Sequence, residues 1–448
     1  MNLYLFNPDN DLALANNDDN YRSPASARKM GSDLTPLIGW IAGDGDFLLF
    51  PENTTWQPDR PLYPDLKSCS LPELSEEFEK DKKRWLNLQH NGSAPQPKNH
   101  TQKENPIKFL NSITKHLYSN GLLKPAKIVP WGWNPSLVRQ LTHAGIDTSL
   151  LPSPKAIEDI KHVSHRSQAV KALRFIRDNA SEELKNILCG KSYEIFSEKE
   201  LKQLIETPDK EWLLKAPLSG SGRGIIRSMG HYIHPVSGWC KNTLEMQGSV
   251  ILEPYYNKVC DFAMEFRVLE NDALHFAGYS LFETNAHGSY TRNILLTDEA
   301  IATLICNYGF KKHYLKELQH VLSQILSKIT KGRYQGWLGV DMMICMENGH
   351  YRIHPCVEIN ARFTMGVFSR LFYDHYITPG AKGSFGIRFS PKNGELLQYA
   401  AEAFHKNPLR ICNNRFTSGW LALTPVMEDT RFLAEINLLP SESGHPTE

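Results

Sequence analysis

The segment Trp337 to Arg362, WLGVDMMICMENGHYRIHPCVEINAR, constrains this chain more than any other. Trp337 to Met346 is rich in strand formers, Asn348-Gly349 is the strongest two-residue hairpin signal, and Tyr351 to Ile359 resumes an apolar run. The pattern predicts a β-hairpin. With Asn348 and Gly349 as the central turn residues, Asp341 stands opposite Cys356. Directly opposed residues share a face and each strand repeats with period two, so Glu358 and Asn360 join Asp341 there. Val340, Met342, Ile344, Val357 and Ile359 fall on the other face, which is then the packed one. A one-residue slip, for instance at His354-Pro355, would throw Asp341 to the packed side.

Two carboxylates and an amide, with backbones about 7 to 8 Å apart as diagonal neighbours, suit a fold poorly unless a cation lies between them. Mg²⁺ fits, because it takes oxygen donors at about 2.0 to 2.1 Å and commonly uses one or two carboxylates plus substrate phosphates. Solvated acids on an exposed sheet face fit the spacing equally well.

With 448 residues, 41% hydrophobic and 22% charged, the chain has the composition of a soluble globular protein with material for two or three cores. Fifty Lys plus Arg balance 49 Asp plus Glu, for a net charge of +1, so neither nucleic acid nor an anionic membrane is an expected partner. The opening Met-Asn-Leu-Tyr-Leu-Phe lacks a basic n-region, and Leu37 to Phe50 is broken by Gly43-Asp44-Gly45-Asp46. A cytoplasmic location is the expectation. The eight cysteines form no C-x-x-C pair and read as reduced thiols.

From the N-terminus, Leu3 to Phe6 reads as a buried strand that ends at Asn7-Pro8-Asp9-Asn10-Asp11, before the apolar Leu12 to Ala15. Lys127 to Val129 repeats the pattern: Trp131-Gly132-Trp133-Asn134 follows, with Asn134 as N-cap, Pro135 at the first helical position and Gly145 at the end. Strand, polar loop and helix, twice over, predict an open parallel α/β sheet whose ligands collect at the carboxyl ends of the strands. Asn7, Asp9, Asn10, Asp11, Trp131, Trp133 and Asn134 are therefore candidate substrate contacts, although turn chemistry and tryptophan packing explain the same residues. Residues 67 to 106 are poor in core residues and read as a surface insertion, and Ile107 to Asn120 reads as helical. Pro152-Ser153-Pro154 marks a domain boundary.

Trp212 to Pro217 reads as a strand carrying Lys215, and it runs into Ser219-Gly220-Ser221-Gly222-Arg223-Gly224 before a second strand, Ile225 to Arg227. Glycines let successive N–H groups turn inward around phosphate oxygens, and Lys215 and Arg223 add charge. A P-loop needs Gly-Lys-Ser/Thr and a following helix, a dinucleotide fingerprint needs that helix too, and a protein kinase places its glycine loop before the lysine strand; none of these holds here. Further on, Asp261, Glu265 and Arg267 alternate with Phe262, Met264, Phe266 and Val268, so one face of that strand meets solvent or ligand.

In order, Lys215, the glycine loop 219 to 224, Glu253, Asp341 and Glu358-x-Asn360 resemble the ATP-grasp superfamily over about Ile157 to Phe372. The resemblance implies an N-terminal open parallel α/β domain (residues 1–152) followed by two α+β subdomains with antiparallel sheets, at 153–249 with the flap and at 250–400 with the hairpin; residues 401–448 are left as a C-terminal extension. It implies ATP held by Arg166, Lys215, the flap (Ser219, Gly220, Ser221, Gly222, Arg223, Gly224), Glu253 with the backbone of Pro254 and Tyr255, and Asp261. Arg166 stands where the family usually has a lysine. Two Mg²⁺ ions would be held by Asp341, Glu358 and Asn360. Arg362 would face the transferring phosphoryl or acyl phosphate, with Arg267 and Arg292 as lesser candidates. The implied activity joins a carboxylate to an amine or thiol through an acyl phosphate, with small molecules as partners and room for a homo-oligomer. A small-molecule kinase on the same fold and a nucleotide sensor without turnover are the alternatives.

Overall fold

The computed structural model describes residues 2–42, 47–49, 125–206, 210–220, 224–285 and 288–440. The expected insertion at 67–106, the helix at 107–120, Ser221, Gly222 and Arg223 of the flap, and the tail from 441 lie outside them.

Strand β1 (Asn2–Leu5) lies between β2 (Phe47–Leu49) and β3 (Lys127–Pro130), all parallel, as the two strand-loop-helix units predict. Leu3, Leu5 and Ile128 pack on Leu137 and Leu141 of the helix Pro135–His143. That helix starts where expected: Asn134 is extended and its side chain accepts from the Leu137 N–H at 2.9 Å.

A second, four-stranded sheet has the order β4 (Tyr193–Ile195), β7 (Val250–Pro254), β5 (Trp212–Lys215), β6 (Ile225–Ser228), all antiparallel. Its apolar face, Leu214, Val250 and Leu252, is buried against the helices Glu198–Ile205 and His234–Gln247.

The third sheet has nine strands. Its first five, in spatial order, are β12 (His350–Asn360), β11 (Gly336–Glu347), β8 (Asn257–Val268), β9 (Leu274–Thr284) and β10 (Tyr290–Leu295). It continues through β13 (Gly383–Phe389), β16 (Phe432–Leu438), β15 (Arg415–Ala422) and β14 (Arg410–Cys412), so the expected C-terminal extension is built into this sheet. Phe262, Met264 and Phe266 of β8, with Val340, Met342 and Ile344 of β11, are buried in one core with Leu318, Leu322 and Leu326 of the helix Lys312–Thr330.

The hairpin forms as predicted at its turn and departs from prediction further up. Asn348 and Gly349 both take positive φ, 51° and 79°, as a type I′ turn demands. From Glu347 opposite His350 to Met343 opposite His354 the register is the expected one. Then the ladder shifts, and Asp341 stands opposite Glu358 rather than Cys356. The shift coincides with Pro355, which has no N–H to give to the ladder, and Met342 alone faces the three residues from Pro355 to Val357. A slip of one residue would have inverted the face; a slip of two preserves it and turns a diagonal pair into a direct one. Among the described residues no helix is long and apolar enough to cross a membrane.

Candidate functional site

At the upper end of the hairpin the Asn360 Nδ2 donates to Asp341 Oδ2 at 3.1 Å, and Glu358 faces Asp341 across the strands. Arg166, just ahead of the helix Ser167–Asn179, reaches into this cluster while only 5% exposed. One of its terminal nitrogens, Nη2, donates to Glu358 Oε1 at 2.8 Å. The other, Nη1, donates to Ala216 O at 2.5 Å and to Ser219 Oγ at 2.6 Å. One buried guanidinium therefore ties the start of the glycine loop to the carboxylate hairpin, 192 positions away in sequence.

The glycine loop is anchored at both ends. Ala216 N–H donates to Gly224 O at 2.8 Å, and the amide of Gln247 bonds both backbone groups of Leu218. Gly220 lies so close to the N-terminal loop that a Cβ there would be 2.7 Å from the Asp11 Cβ. Asp11 in turn receives a two-pronged bond from Arg362, Nε to Oδ1 at 2.7 Å and Nη2 to Oδ2 at 2.6 Å. Asp11, Ser219, Glu358 and Asn360 thus border one cleft.

Burial, then the neighbouring Glu358 and Glu265, push the Asp341 carboxyl up to about 8. Glu265 was not among the expected site residues. It lies on the β8 face expected to meet solvent or ligand, but Ser280 Oγ (2.8 Å), Thr364 Oγ1 (3.2 Å) and the backbone of Gly339 and Gly366 close over it. Burial pushes its carboxyl up to about 7. Gly339 and Gly366 are the trace it leaves in the sequence. A dry acidic cluster of this kind favours either a proton or a cation. Among the described residues no group of three or more His, Cys, Asp or Glu is arranged for a metal, so the donor set is two carboxylates and one amide. That is a set suited to Mg²⁺ completed by phosphate and water.

Lys215 and Glu253, expected to touch the nucleotide separately, meet each other: Nζ to Oε2 is 2.5 Å, with the side chains 6% and 4% exposed. They sit on the adjacent strands β5 and β7, and Ser192 Oγ adds a bond to Glu253 at 3.1 Å. Burial pushes the Glu253 carboxyl up, but Lys215 and His354 outweigh it and hold the group below its ordinary value. His354, on β12, is fully buried with neither ring nitrogen bonded, and burial lowers it to about 4. Pro254 ends β7; the Tyr255 N–H already donates to Glu211 O, and Arg227 stacks 3.9 Å over the half-exposed ring of Tyr255. Asp261 is engaged by Lys258 and by Thr284 Oγ1 at 3.0 Å.

The two N-terminal loops do come together. Asn7 Nδ2 donates to Gly132 O at 2.8 Å and Asn134 Nδ2 to Asn10 Oδ1 at 3.0 Å, while Asp9 accepts from Ser23. Of these residues only Asp11 reaches Arg362. Trp131 is buried edge-on against Phe6 at 4.8 Å and near Phe363 at 5.3 Å, whereas Trp133 packs on the core of the parallel sheet and on the core beneath β8 and β11; Trp131 is a packing residue. Arg267 is exposed and lies 5.3 Å over Trp337. Arg292 forks onto Glu283, on the sheet face opposite Asp341. Neither joins Arg362.

No family model and no curated protein matches the chain. Among solved structures it is similar to N5-carboxyaminoimidazole synthetase from Staphylococcus aureus complexed with ADP, at 11% identity and TM-score 0.42 over 99% of this chain and 93% of that one. It is also similar to the biotin carboxylase domain of Hydrogenobacter thermophilus 2-oxoglutarate carboxylase with MgADP and bicarbonate, at 13% identity and TM-score 0.42 over 76% of each chain. L-amino acid ligase from Bacillus licheniformis gives 11% identity and TM-score 0.39 over 74% of this chain and 80% of that one. With TM-scores below 0.5, these likenesses decide nothing about this chain's chemistry, which its own side chains must carry.

Proposed function

We propose that the chain is an ATP- and Mg²⁺-dependent ligase of the ATP-grasp type that activates a carboxylate as its acyl phosphate and passes the acyl group to an amine or thiol. One observation carries this reading: the Arg166 guanidinium bonds both the start of the glycine loop and Glu358, so the anchored end of that loop and the carboxylate hairpin share one small space. Two cations stand beside that space already. Arg166 pairs with Glu358 there, and Lys215, paired with Glu253, lies one residue ahead of the Ala216 carbonyl that Arg166 holds.

Asp341, Glu358 and Asn360 would hold the magnesium, which supplies charge neutralisation to the phosphates when bound. Phosphoryl transfer asks a protein for positioning and electrostatics more than for a nucleophilic side chain. This chain supplies donors accordingly. Arg166 stands between Glu358 and the start of the glycine loop, and Arg362 stands at the mouth next to Asn360. The N-terminal loop, through Asp11, brings the α/β unit to that mouth, where an acid substrate would enter.

The test is ADP release from MgATP over a panel of amino acid and peptide pairs, beside Glu358→Gln. Ligase action gives ADP, phosphate and a new amide with one pair and none with the variant. A stable phosphorylated product would replace this reading with a kinase, and tight MgATP binding without turnover on any pair would replace it with a sensor.

A further inference from the structure

Four of the five N–H donors of the Arg362 guanidinium are taken. Of its five N–H donors, Nε and one Nη2 proton go to Asp11, the other Nη2 proton goes to Asn360 Oδ1 at 3.1 Å, and Nη1 donates to Phe363 O at 2.9 Å. A parallel two-bond fork is the geometry in which arginine takes a carboxylate or a phosphate. Here it is filled by the chain's own carboxylate, carried 351 positions away on the first turn of the helix Asn10–Asn16. An oxyanion cannot enter that fork while Asp11 holds it.

The contact is built to be exchanged rather than sealed. Arg362 and Asp11 keep side-chain exposures of 18% and 22%, and Asp11 borders the cleft shared with Ser219, Glu358 and Asn360. Asp11 and Arg362 sit on different elements, the loop of Asp11 being held by Gly132 and Asn134, so a turn of either side chain opens the pair without breaking the hairpin. Gly220 presses on Asp11 from the glycine loop, so a change in that loop reaches the pair directly.

We infer that Asp11 is a positioning residue that occupies the oxyanion site of Arg362 in the empty protein, and that a phosphate or acyl-phosphate oxyanion binds there by displacing it. The identity of that oxyanion rests on the ligase reading; the displacement itself does not. A tethered competitor acts at an effective concentration on the order of millimolar, and it lowers apparent affinity by the fraction of time the fork is free.

The experiment is a calorimetric titration of inorganic phosphate, with and without saturating MgADP, into the wild-type chain, Asp11→Asn, Asp11→Glu and the double variant Asp11→Asn with Arg362→Gln. Asp11→Asn should tighten phosphate binding about tenfold or more, Asp11→Glu should return it toward wild type, and the double variant should abolish the gain. A gain that comes only from removing the Asp11 charge persists in the double variant, and a gain that persists there overturns the inference. Equal or weaker phosphate binding by an Asp11→Asn chain that still binds MgADP overturns the inference. If the wild-type chain fails to bind MgADP, the ligase reading falls, while the nucleotide-free titration still decides whether Asp11 guards the fork.

Discussion

The buried Asp341 carboxyl costs the protein stability, and the cost follows pH. The carboxyl lies at about 8 in the folded chain against an ordinary value of 3.8, because burial comes first and Glu358 and Glu265 add repulsion. Between those limits the folded chain holds a proton that the unfolded chain has lost, so the folded state binds more protons and stability falls as pH rises. The loss is complete above about 8. About four units at 1.36 kcal/mol each set a ceiling of roughly 5 kcal/mol. Glu358 is 25% exposed, and the Asp341 and Glu265 carboxyls are both raised and repel each other, so about 2 to 3 kcal/mol is the working expectation. Asp341→Asn removes the charge and keeps the shape. Without metal, thermal melts from pH 5.5 to 8.5 should show the wild type losing stability more steeply than the variant, which becomes the more stable of the two at pH 8.5. Adding Mg²⁺ with ADP should restore the wild type at high pH and leave the variant unmoved. Parallel melting curves, or a variant less stable than wild type at pH 8.5 without metal, would refute the reasoning.

Arg166→Met removes two bonds to the glycine loop and one to Glu358, so at about 1.5 to 3 kcal/mol per charged bond MgADP affinity should fall by ten- to a hundredfold, measured by calorimetry; unchanged affinity would detach the loop from the hairpin. Lys215→Met strands the buried Glu253 and should cost about 3 to 5 kcal/mol in denaturant titration, most of it regained when Glu253→Gln is added; additive losses would mean the pair is not coupled. Gly366→Ala should destabilise by about 1 to 3 kcal/mol despite alanine's advantage in a helix, because its methyl would press on Glu265 Oε1 and Ser280 Oγ, and a more stable variant would show that Glu265 is not enclosed as described.

Local signals in the sequence carried most of the hairpin. Asn348-Gly349 set the turn, alternation placed Asp341, Glu358 and Asn360 on one face, and Asn134-Pro135 started its helix as read. The shift at Pro355 was beyond such signals, since a proline announces a broken ladder bond but not how many residues the strand takes up. The pairing of Lys215 with Glu253 depends on the register between β5 and β7, set by packing between segments 38 positions apart rather than by either segment. Asp11 with Arg362 depends on how the N-terminal unit docks, and no periodicity reports that. Glu265 looked like one of three polar residues on an open face; Ser280, Gly339, Thr364 and the helix Met365–Tyr376 enclose it and make it a buried acid. Trp131 followed the commoner fate of a tryptophan, which is to fill space.

The central claim is that Asp341, Glu358 and Asn360 meet metal-bound phosphates beneath the backbone that follows Lys215. Calorimetric titration of ADP into the wild-type chain and Glu358→Gln, each with and without Mg²⁺, addresses it most directly. The account predicts ADP binding that Mg²⁺ strengthens at least tenfold in the wild type and leaves unchanged in the variant, since one charge-assisted contact is worth about 1.4 kcal/mol or more. ADP binding indifferent to Mg²⁺ in the wild type, or equally Mg²⁺-dependent in Glu358→Gln, would contradict it.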